Sequence, residues 1–112
     1  YAEGGARLDI PADLTPEEVA AAQDLALRAY RALRCDGYAR VDLFYEEGGR
    51  GWLLNEINTI PGFTPKSMFP MLWAASGIPY GELIDEMVRL GRERHAHRAG
   101  FGRPLPPEAP EA

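Results

Sequence analysis

Apolar and polar residues alternate with a helical period in one early segment of the chain. From residue 15 to residue 37, apolar side chains recur every three or four positions, which predicts an amphipathic helix. Thr15 can cap this helix, Pro16 suits its first position, and Glu18 completes a capping box. Gly37 is a typical end of such a helical region.

Two further helices and a short strand are predicted elsewhere. The segment "PMLWAASG" predicts a helix from Pro70 to Gly77, and apolar residues on one side predict a second helix over residues 80–94. Leu8 to Ile10 predicts a short strand. Residues 95–112 are rich in Pro, Ala and Gly with little to bury, so we expect them to be disordered.

The middle of the chain predicts an antiparallel hairpin. Two β-rich runs in "GYARVDLFYEEGGRGWLLNEIN" flank a Gly-rich turn. With the turn centred near Gly49, Asp42 lies opposite Glu56, and Arg40 lies opposite Asn58, all on one face. The other face then collects Val41, Leu43, Tyr45, Leu53, Asn55 and Ile57. The predicted fold class is therefore α+β, an antiparallel sheet with flanking helices.

This register suggests chemistry for the polar face. The Cβ atoms of Asp42 and Glu56 would lie roughly 5 Å apart. Repulsion between the two carboxylates would push one of them toward protonation. A divalent cation relieves that repulsion, and carboxylate and amide oxygens suit Mg²⁺ or Mn²⁺. Arg40 adds a positive fork for a phosphate or carboxylate. A polar strand face that merely meets solvent explains the same residues.

The loop "TIPGFTPKS" adds a second candidate site. Gly62 allows the backbone to approach a ligand closely and to present its N–H. Ser67 precedes an apolar helical stretch, where its hydroxyl and nearby N–H groups could bind an anion. A rigid turn in which Ser67 caps the helix accounts for these residues equally well.

Composition narrows the class of protein. The 112 residues suffice for one small domain, and the net charge of −5 argues against nucleic-acid binding without excluding a metal-bridged nucleotide. Cys35 is the single cysteine, which excludes an internal disulfide and favours a reduced, intracellular setting. No apolar run approaches the roughly 20 residues that span a membrane. The chain begins with Tyr1 rather than Met, and we expect it to be a piece of a longer protein.

The string "GYARVDLF…LLNEINTIPGFTPKSMFP" resembles the C-terminal ATP-grasp signature of D-alanine–D-alanine ligases. The resemblance runs from Tyr1 to about Arg92, and its most specific part is N-E-I-N-T-x-P-G-F-T-x-x-S. It implies a partial ATP-grasp C-terminal domain over residues 1–94, followed by the disordered tail. It also implies a bacterial cytoplasmic ligase that joins two D-alanine molecules for peptidoglycan, through a D-alanyl phosphate, using ATP and two Mg²⁺ or Mn²⁺ ions.

The resemblance implies roles for five residues at the nucleotide. Asp42, Glu56 and Asn58 match ligands of two metal ions that bridge the ATP phosphates, with Glu56 shared between the ions. Arg40 matches the arginine that holds the transferred phosphate and the acyl group. Phe44 falls at a position that lines the adenine pocket.

Further roles concern the amino-acid substrates. The Gly62 N–H matches an oxyanion-hole donor, and Ser67 with the Met68 backbone matches the site for the carboxylate of the second D-alanine. Tyr1 matches the tyrosine of the ω-loop that closes over the site, which favours D-alanine over D-lactate as acceptor. Lys66 falls where the family varies and receives no role.

Two alternatives remain at this point. One is a ligase of the vancomycin-resistance type, with D-lactate or D-serine as acceptor, and the other is a non-catalytic ATP-grasp piece. The family enzyme is about three times longer and is usually a homodimer. Its first D-alanine site and the lysines that grip ATP lie upstream, so we expect the chain alone to be inactive.

Overall fold

The computed structural model describes residue 5 and residues 7–102, and it contains three helices and one two-stranded antiparallel sheet within them. The α+β expectation is thereby confirmed. In chain order the elements are α1 (Pro16–Ala32), β1 (Arg40–Glu46), β2 (Gly51–Asn58), α2 (Met68–Ala75) and α3 (Tyr80–Phe101).

The start of α1 follows the predicted capping box. The Thr15 side chain accepts a hydrogen bond from the Glu18 N–H, and the Glu18 carboxylate accepts one from the Thr15 N–H at 2.8 Å. The helix ends at Ala32, ahead of the predicted Gly37, because Arg34 adopts a φ of 52° that no helix continues through. Gly37 turns the chain toward β1 with a φ of 73°.

The hairpin has a register that changes once along its length. Near the open end, the pairs are Arg40 with Asn58 and Asp42 with Glu56, as predicted. Between Asp42 and Leu43 lies a β-bulge, and from there to the turn every residue of β1 pairs one position away from the predicted register. The partners beyond the bulge are therefore Leu43 with Leu54, Phe44 with Leu53, Tyr45 with Trp52 and Glu46 with Gly51.

The extra residue at the bulge is Asn55, and it corrects the predicted apolar face. Since paired residues share a face, Trp52 and Leu54 join Tyr45 and Leu43, while Leu53 moves to the other face beside Phe44. The predicted grouping of Leu53 with Tyr45 was wrong, because a regular ladder was assumed.

Helix α1 lies against the turn end of the hairpin. The Trp52 indole N–H donates to the Glu18 carbonyl at 3.0 Å, and the Tyr45 hydroxyl donates to the Glu18 carboxylate at 3.1 Å. The Tyr45 and Trp52 rings pack with centroids 4.6 Å apart. The first turn of α1 and the β1–β2 ladder are thus held together by one aromatic pair and one helix-capping residue.

A second cluster of side chains, all aromatic, holds the loop between β2 and α2. The Phe69 side chain is 5% exposed, with ring centroids 5.5 Å from Tyr38 and 6.0 Å from Phe63. The Tyr80 hydroxyl donates to the Phe63 carbonyl at 2.7 Å, and its ring lies 5.5 Å from that of Phe63. Leu83, on the next turn of α3, is equally buried. The loop is therefore anchored to the start of α3.

Three predictions about the helices and strands were wrong: one strand and the limits of two helices. Leu8 to Ile10 forms no strand, because within the described residues only β1 and β2 pair with each other. Helix α2 begins at Met68 rather than Pro70, since Ser67 already has the extended backbone of an N-cap. Helix α3 continues to Phe101, so residues 95–101 are helical rather than disordered, because no proline interrupts them and His, Ala and Arg all tolerate a helix. Residues 103–112, the rest of the predicted tail, lie outside the described part, and the domain boundary at residue 94 stays a prediction.

Much apolar surface remains uncovered. Phe44 and Ile60 are 59% and 82% exposed. Among the helices that the structure describes, none has the length and apolar character to cross a bilayer.

Candidate functional site

The polar face at the open end of the hairpin brings together the four side chains that the sequence singles out. Asp42 lies opposite Glu56 and Arg40 lies opposite Asn58, so the predicted arrangement on one face is confirmed. The bulge makes this possible. A regular ladder continued from the Tyr45–Trp52 pair would place Asn55 opposite Asp42 and turn Glu56 toward the α1 side of the hairpin.

Arg40 binds the carboxylate of Asp42 through two hydrogen bonds. Its Nε lies 2.8 Å from one Asp42 oxygen and its Nη2 lies 2.9 Å from the other, while the same Nη2 is 3.8 Å from the Glu56 Oε1. The Arg40 side chain is 19% exposed, and that of Glu56 is 59% exposed. Arg40 therefore carries the positive charge that holds two carboxylates on one face.

The hydrogen bonds from Arg40 lower the pKa of Asp42, although partial burial opposes this shift; the charge of Arg40 and a hydrogen bond with Glu56 lower it further. For Asp42 this is the opposite of the protonation that repulsion between the carboxylates suggested. Repulsion between the two carboxylates does not dominate at Asp42, because the Arg40 guanidinium already neutralises it through two hydrogen bonds. Asp42 is thus an ionised carboxylate at neutral pH.

Asn58 ends the strand and starts the loop. Its Oδ1 accepts a hydrogen bond from the Ile60 N–H at 3.0 Å, which bends the chain out of β2. An amide oxygen has two lone pairs, so one remains for another partner. Asn58 can therefore shape the loop and face a cation at the same time.

These donors fit a hard divalent cation. Two carboxylates and an amide oxygen on one face are suitable ligands for Mg²⁺ or Mn²⁺, which keep further positions for water and phosphate oxygens. No group of three or more His, Cys, Asp or Glu side chains suited to a metal lies within residues 5 and 7–102, so a cation here depends on ligands beyond these carboxylates. The ligand roles of Asp42, Glu56 and Asn58 stay predictions, as does that of Arg40.

Phe44 extends the same face toward the turn. It lies two residues beyond Asp42 on β1, pairs with Leu53, and is 59% exposed. The face therefore passes from charged to apolar within one strand step. This juxtaposition suits a ligand with an anionic end and a flat apolar end, while the adenine role of Phe44 itself stays a prediction.

The loop after Asn58 carries the second group. Gly62 is four residues further on, so its Cα lies within about 14 Å of that of Asn58. A Cβ at Gly62 would stand 3.1 Å from the Ser67 Oγ, which means that the Gly62 backbone approaches Ser67 closely. The structure thus brings Gly62 and Ser67 together, and their substrate roles stay predictions.

Ser67 does not cap α2 with its side chain. It occupies the N-cap position without a capping hydrogen bond, and its Oγ instead accepts from the Thr64 N–H at 3.0 Å and lies 2.9 Å from the Thr64 Oγ1. The Met68 N–H, at the first helical position, has no acceptor within the helix. The first turn of α2 contains no acidic side chain, so nothing there repels an anion.

Two residues of this region escaped the sequence reasoning. Thr64 was signalled only by its position three residues before Ser67 in the F-T-x-x-S part of the motif. Tyr80, which holds the Phe63 carbonyl, had no sequence signal because it lies 17 residues away on another helix. Tyr1 lies outside the described residues, so its predicted role at the ω-loop is not addressed by the structure.

Curated relatives carry one function in their names. The chain is 50% identical over 92 residues to the D-alanine–D-alanine ligase of Paenarthrobacter aurescens, covering 82% of this chain and 24% of the relative. It is 47% identical over 98 residues to that of Geobacillus thermodenitrificans, covering 88% and 27%. The chain therefore spans about a quarter of the length of these relatives.

Solved structures similar to the chain are also ligases that act on D-alanine. The D-alanine–D-alanine ligase of Coxiella burnetii superposes with a TM-score of 0.78 at 40% identity, over 82% of this chain and 26% of that one. The Bacillus anthracis ligase complexed with ATP gives 0.71 at 31% identity, over 77% and 30%. The VanG D-Ala:D-Ser ligase of Enterococcus faecalis gives 0.68 at 37% identity, over 72% and 23%.

The family described as D-ala D-ala ligase C-terminus matches residues 1–89, which is most of the chain. This match agrees with the predicted motif and with the hairpin and loop geometry. The chain belongs to the D-alanine–D-alanine ligase family, of which it represents the C-terminal part.

Proposed function

We propose that this chain is the metal-nucleotide and acceptor-binding part of an ATP-dependent ligase that joins two D-alanine molecules for peptidoglycan. The observation that carries the proposal is the single face shared by Arg40, Asp42, Glu56 and Asn58, four residues ahead of the Gly62 loop. Curated relatives of about 50% identity are D-alanine–D-alanine ligases, which supports D-alanine as both substrates.

The hairpin would act on the nucleotide. Asp42, Glu56 and Asn58 would hold two Mg²⁺ or Mn²⁺ ions, which when bound neutralise the charge of the ATP phosphates. In the structure Arg40 binds Asp42 through two hydrogen bonds. Arg40 would bind the transferred phosphoryl group, and Phe44 would contact the adenine ring.

The loop would act on the second substrate. The carboxylate of the first D-alanine would take the γ-phosphoryl group of ATP with release of ADP, and the deprotonated amine of the second would attack the resulting acyl phosphate. The Gly62 N–H would donate to the oxyanion of the tetrahedral intermediate, which then loses phosphate to give the dipeptide. The Ser67 hydroxyl and the Met68 N–H would hold the carboxylate of the second D-alanine.

The remainder of the enzyme would supply what this chain lacks. We place the first D-alanine site and the lysines that grip ATP in the other three quarters of the ligase, and Tyr1 in the loop that closes over the site. The complete enzyme would be cytoplasmic, since its nucleotide and its amino-acid substrates are cytoplasmic metabolites. It would also be a homodimer, which is the state that the family resemblance implies.

Replacement of Glu56 by Gln in the complete enzyme tests the metal-ligand assignment. We expect the Mn²⁺ affinity to fall, and phosphate release with D-alanine to fall at least about 100-fold, because one charged ligand is lost while the shape is kept. Glu47→Gln, an exposed carboxylate at the hairpin turn, is the matched control and should change neither quantity. Near-normal turnover in Glu56→Gln would refute the assignment.

The acceptor is a separate question, because one structural neighbour is a D-Ala:D-Ser ligase. We expect the complete enzyme, given equal concentrations of D-alanine, D-serine and D-lactate, to form mainly D-alanyl-D-alanine. Quantification of the three products by mass spectrometry decides the matter. A majority of either other product would move the proposal to a vancomycin-resistance ligase, and absence of all three would favour a non-catalytic piece.

A further inference from the structure

The hydroxyl of Ser67 has an unusual set of partners for a helix N-cap. Rather than accepting from its own helix, it accepts from the Thr64 N–H at 3.0 Å and is paired with the Thr64 hydroxyl at 2.9 Å. Both contacts come from the same residue. Thr64 is exposed, so these bonds are not needed to satisfy buried groups.

The direction of the hydroxyl pair decides what Ser67 can do. A serine hydroxyl has one proton and two acceptor lone pairs. The Thr64 N–H fills one lone pair. If the Thr64 hydroxyl donates into the second, the only capacity left on Ser67 is its proton. If Ser67 instead donates to Thr64, its proton is used and cannot reach a ligand.

A carboxylate ligand selects the first of these two arrangements. An ionised carboxylate only accepts hydrogen bonds, so Ser67 must donate to it. With both lone pairs held by Thr64, the Ser67 proton is directed away from Thr64 and toward the ligand, with no further rotamer to lose on binding. The close Gly62 backbone, where an added Cβ would stand 3.1 Å from the Ser67 Oγ, limits the other directions in which this hydroxyl can move.

We propose that Thr64 is a positioning residue for the acceptor amino acid, and that its backbone N–H and hydroxyl together direct the Ser67 proton at the acceptor carboxylate. This inference rests on the proposed function of Ser67. Thr64 itself does not touch the substrate. Its effect is therefore confined to acceptor binding and depends on the presence of the Ser67 hydroxyl.

The test compares Thr64→Val with Thr64→Ser in the complete enzyme. Val keeps the shape and the backbone N–H but removes the hydroxyl, whereas Ser retains the hydroxyl. For Thr64→Val we expect the KM for the acceptor D-alanine to rise about three- to tenfold, the effect of losing one hydrogen bond, with the KM for ATP unchanged. Thr64→Ser should stay within about twofold of the parent enzyme. The acceptor KM is separated from the donor KM by fitting the two-site dependence of rate on D-alanine concentration.

A double-mutant cycle with Ser67→Ala tests whether Thr64 acts through the Ser67 hydroxyl. If Thr64 acts through Ser67, adding Thr64→Val to Ser67→Ala raises the acceptor KM no further. Additive effects, an unchanged acceptor KM in Thr64→Val, or equal impairment in Val and Ser variants would each overturn the inference. Ser67→Ala alone tests the proposed function separately, because an unchanged acceptor KM in that variant refutes the role of Ser67 itself.

Discussion

Replacement of Gly62 by alanine is the sharpest test of the loop geometry. The added Cβ would stand 3.1 Å from the Ser67 Oγ and 3.6 Å from the Ser67 Cβ, so the Ser67 hydroxyl has to move by a few tenths of an ångström. Gly62 is not among the residues with positive φ, so alanine is compatible with the backbone. The perturbation is therefore confined to the contact with Ser67.

The magnitude follows from the two contacts that Ser67 makes with Thr64, at 3.0 and 2.9 Å. If the displacement weakens both, the loss is about 1–2 kcal/mol, which corresponds to about a 5- to 30-fold rise in the acceptor KM. Because both contacts exist before any substrate binds, the free energy of unfolding should also fall, by up to about 1–2 kcal/mol, offset in part by about 0.4–1 kcal/mol because alanine restricts the unfolded chain. Steady-state kinetics and urea denaturation measure the two quantities.

The matched control is Gly91→Ala in the interior of α3, where an added Cβ meets nothing within 4 Å. It should stabilise the protein by about 0.5–1 kcal/mol and leave the acceptor KM unchanged. An acceptor KM within twofold of the parent in Gly62→Ala would refute the reasoning, since it would mean that the Ser67 position does not matter for the acceptor.

Three further predictions concern stability. Phe69→Ala should lower the free energy of unfolding by about 3 kcal/mol, because Phe69 is 5% exposed in the aromatic cluster. The control Phe101→Ala, at a residue that is 79% exposed, should change it by less than about 0.5 kcal/mol. Equal losses of the two variants in urea denaturation would contradict the packing of Phe69. Thr15→Ala should cost about 1 kcal/mol in the same assay, since it removes one half of the α1 capping box, and an unchanged midpoint would argue against the cap. Hydrogen bonds from the Thr15 backbone and then from Tyr45 lower the pKa of Glu18. The contribution of Glu18 to the stability of the fold is therefore complete above the ordinary pKa of 4.5 and is lost as the pH falls through the folded pKa. Below pH 4.5, the thermal-unfolding midpoint of Glu18→Gln should change less with pH than that of the parent protein.

Local rules account for the parts of the fold that were predicted correctly. The α1 start depends on Thr15 and Glu18, which are neighbours in sequence and satisfy each other's backbone groups. Alternation within each strand predicts that Arg40 shares a face with Asp42 and that Glu56 shares one with Asn58, whereas the bulge in the same hairpin brings Glu56 opposite Asp42. In both cases the deciding interactions lie within one element or one hairpin.

The parts that were missed depend on contacts between distant residues. The bulge at Asn55 allows Trp52 to reach the Glu18 carbonyl on α1 while Glu56 still faces Asp42, and alternation within the hairpin contains no information about that helix. The bond from Tyr80 to the Phe63 carbonyl likewise joins elements that are separate in sequence. The residues that share the candidate site could thus be predicted from the local sequence pattern, whereas the contacts that hold the surrounding elements in place could not.

The bulge also determines how the hairpin tolerates changes in length. Asn55 is the residue of β2 without a partner on β1, so its deletion would merge two ladders into one regular ladder and leave every existing pair, including Asp42 with Glu56, in place. Deletion of Ile57, by contrast, would bring Asn58 opposite Val41 and separate it from Arg40. A family member that lacks the residue at Asn55 can therefore keep the same site with a less twisted hairpin. A family member that lacks the residue at Ile57 cannot keep Asn58 opposite Arg40.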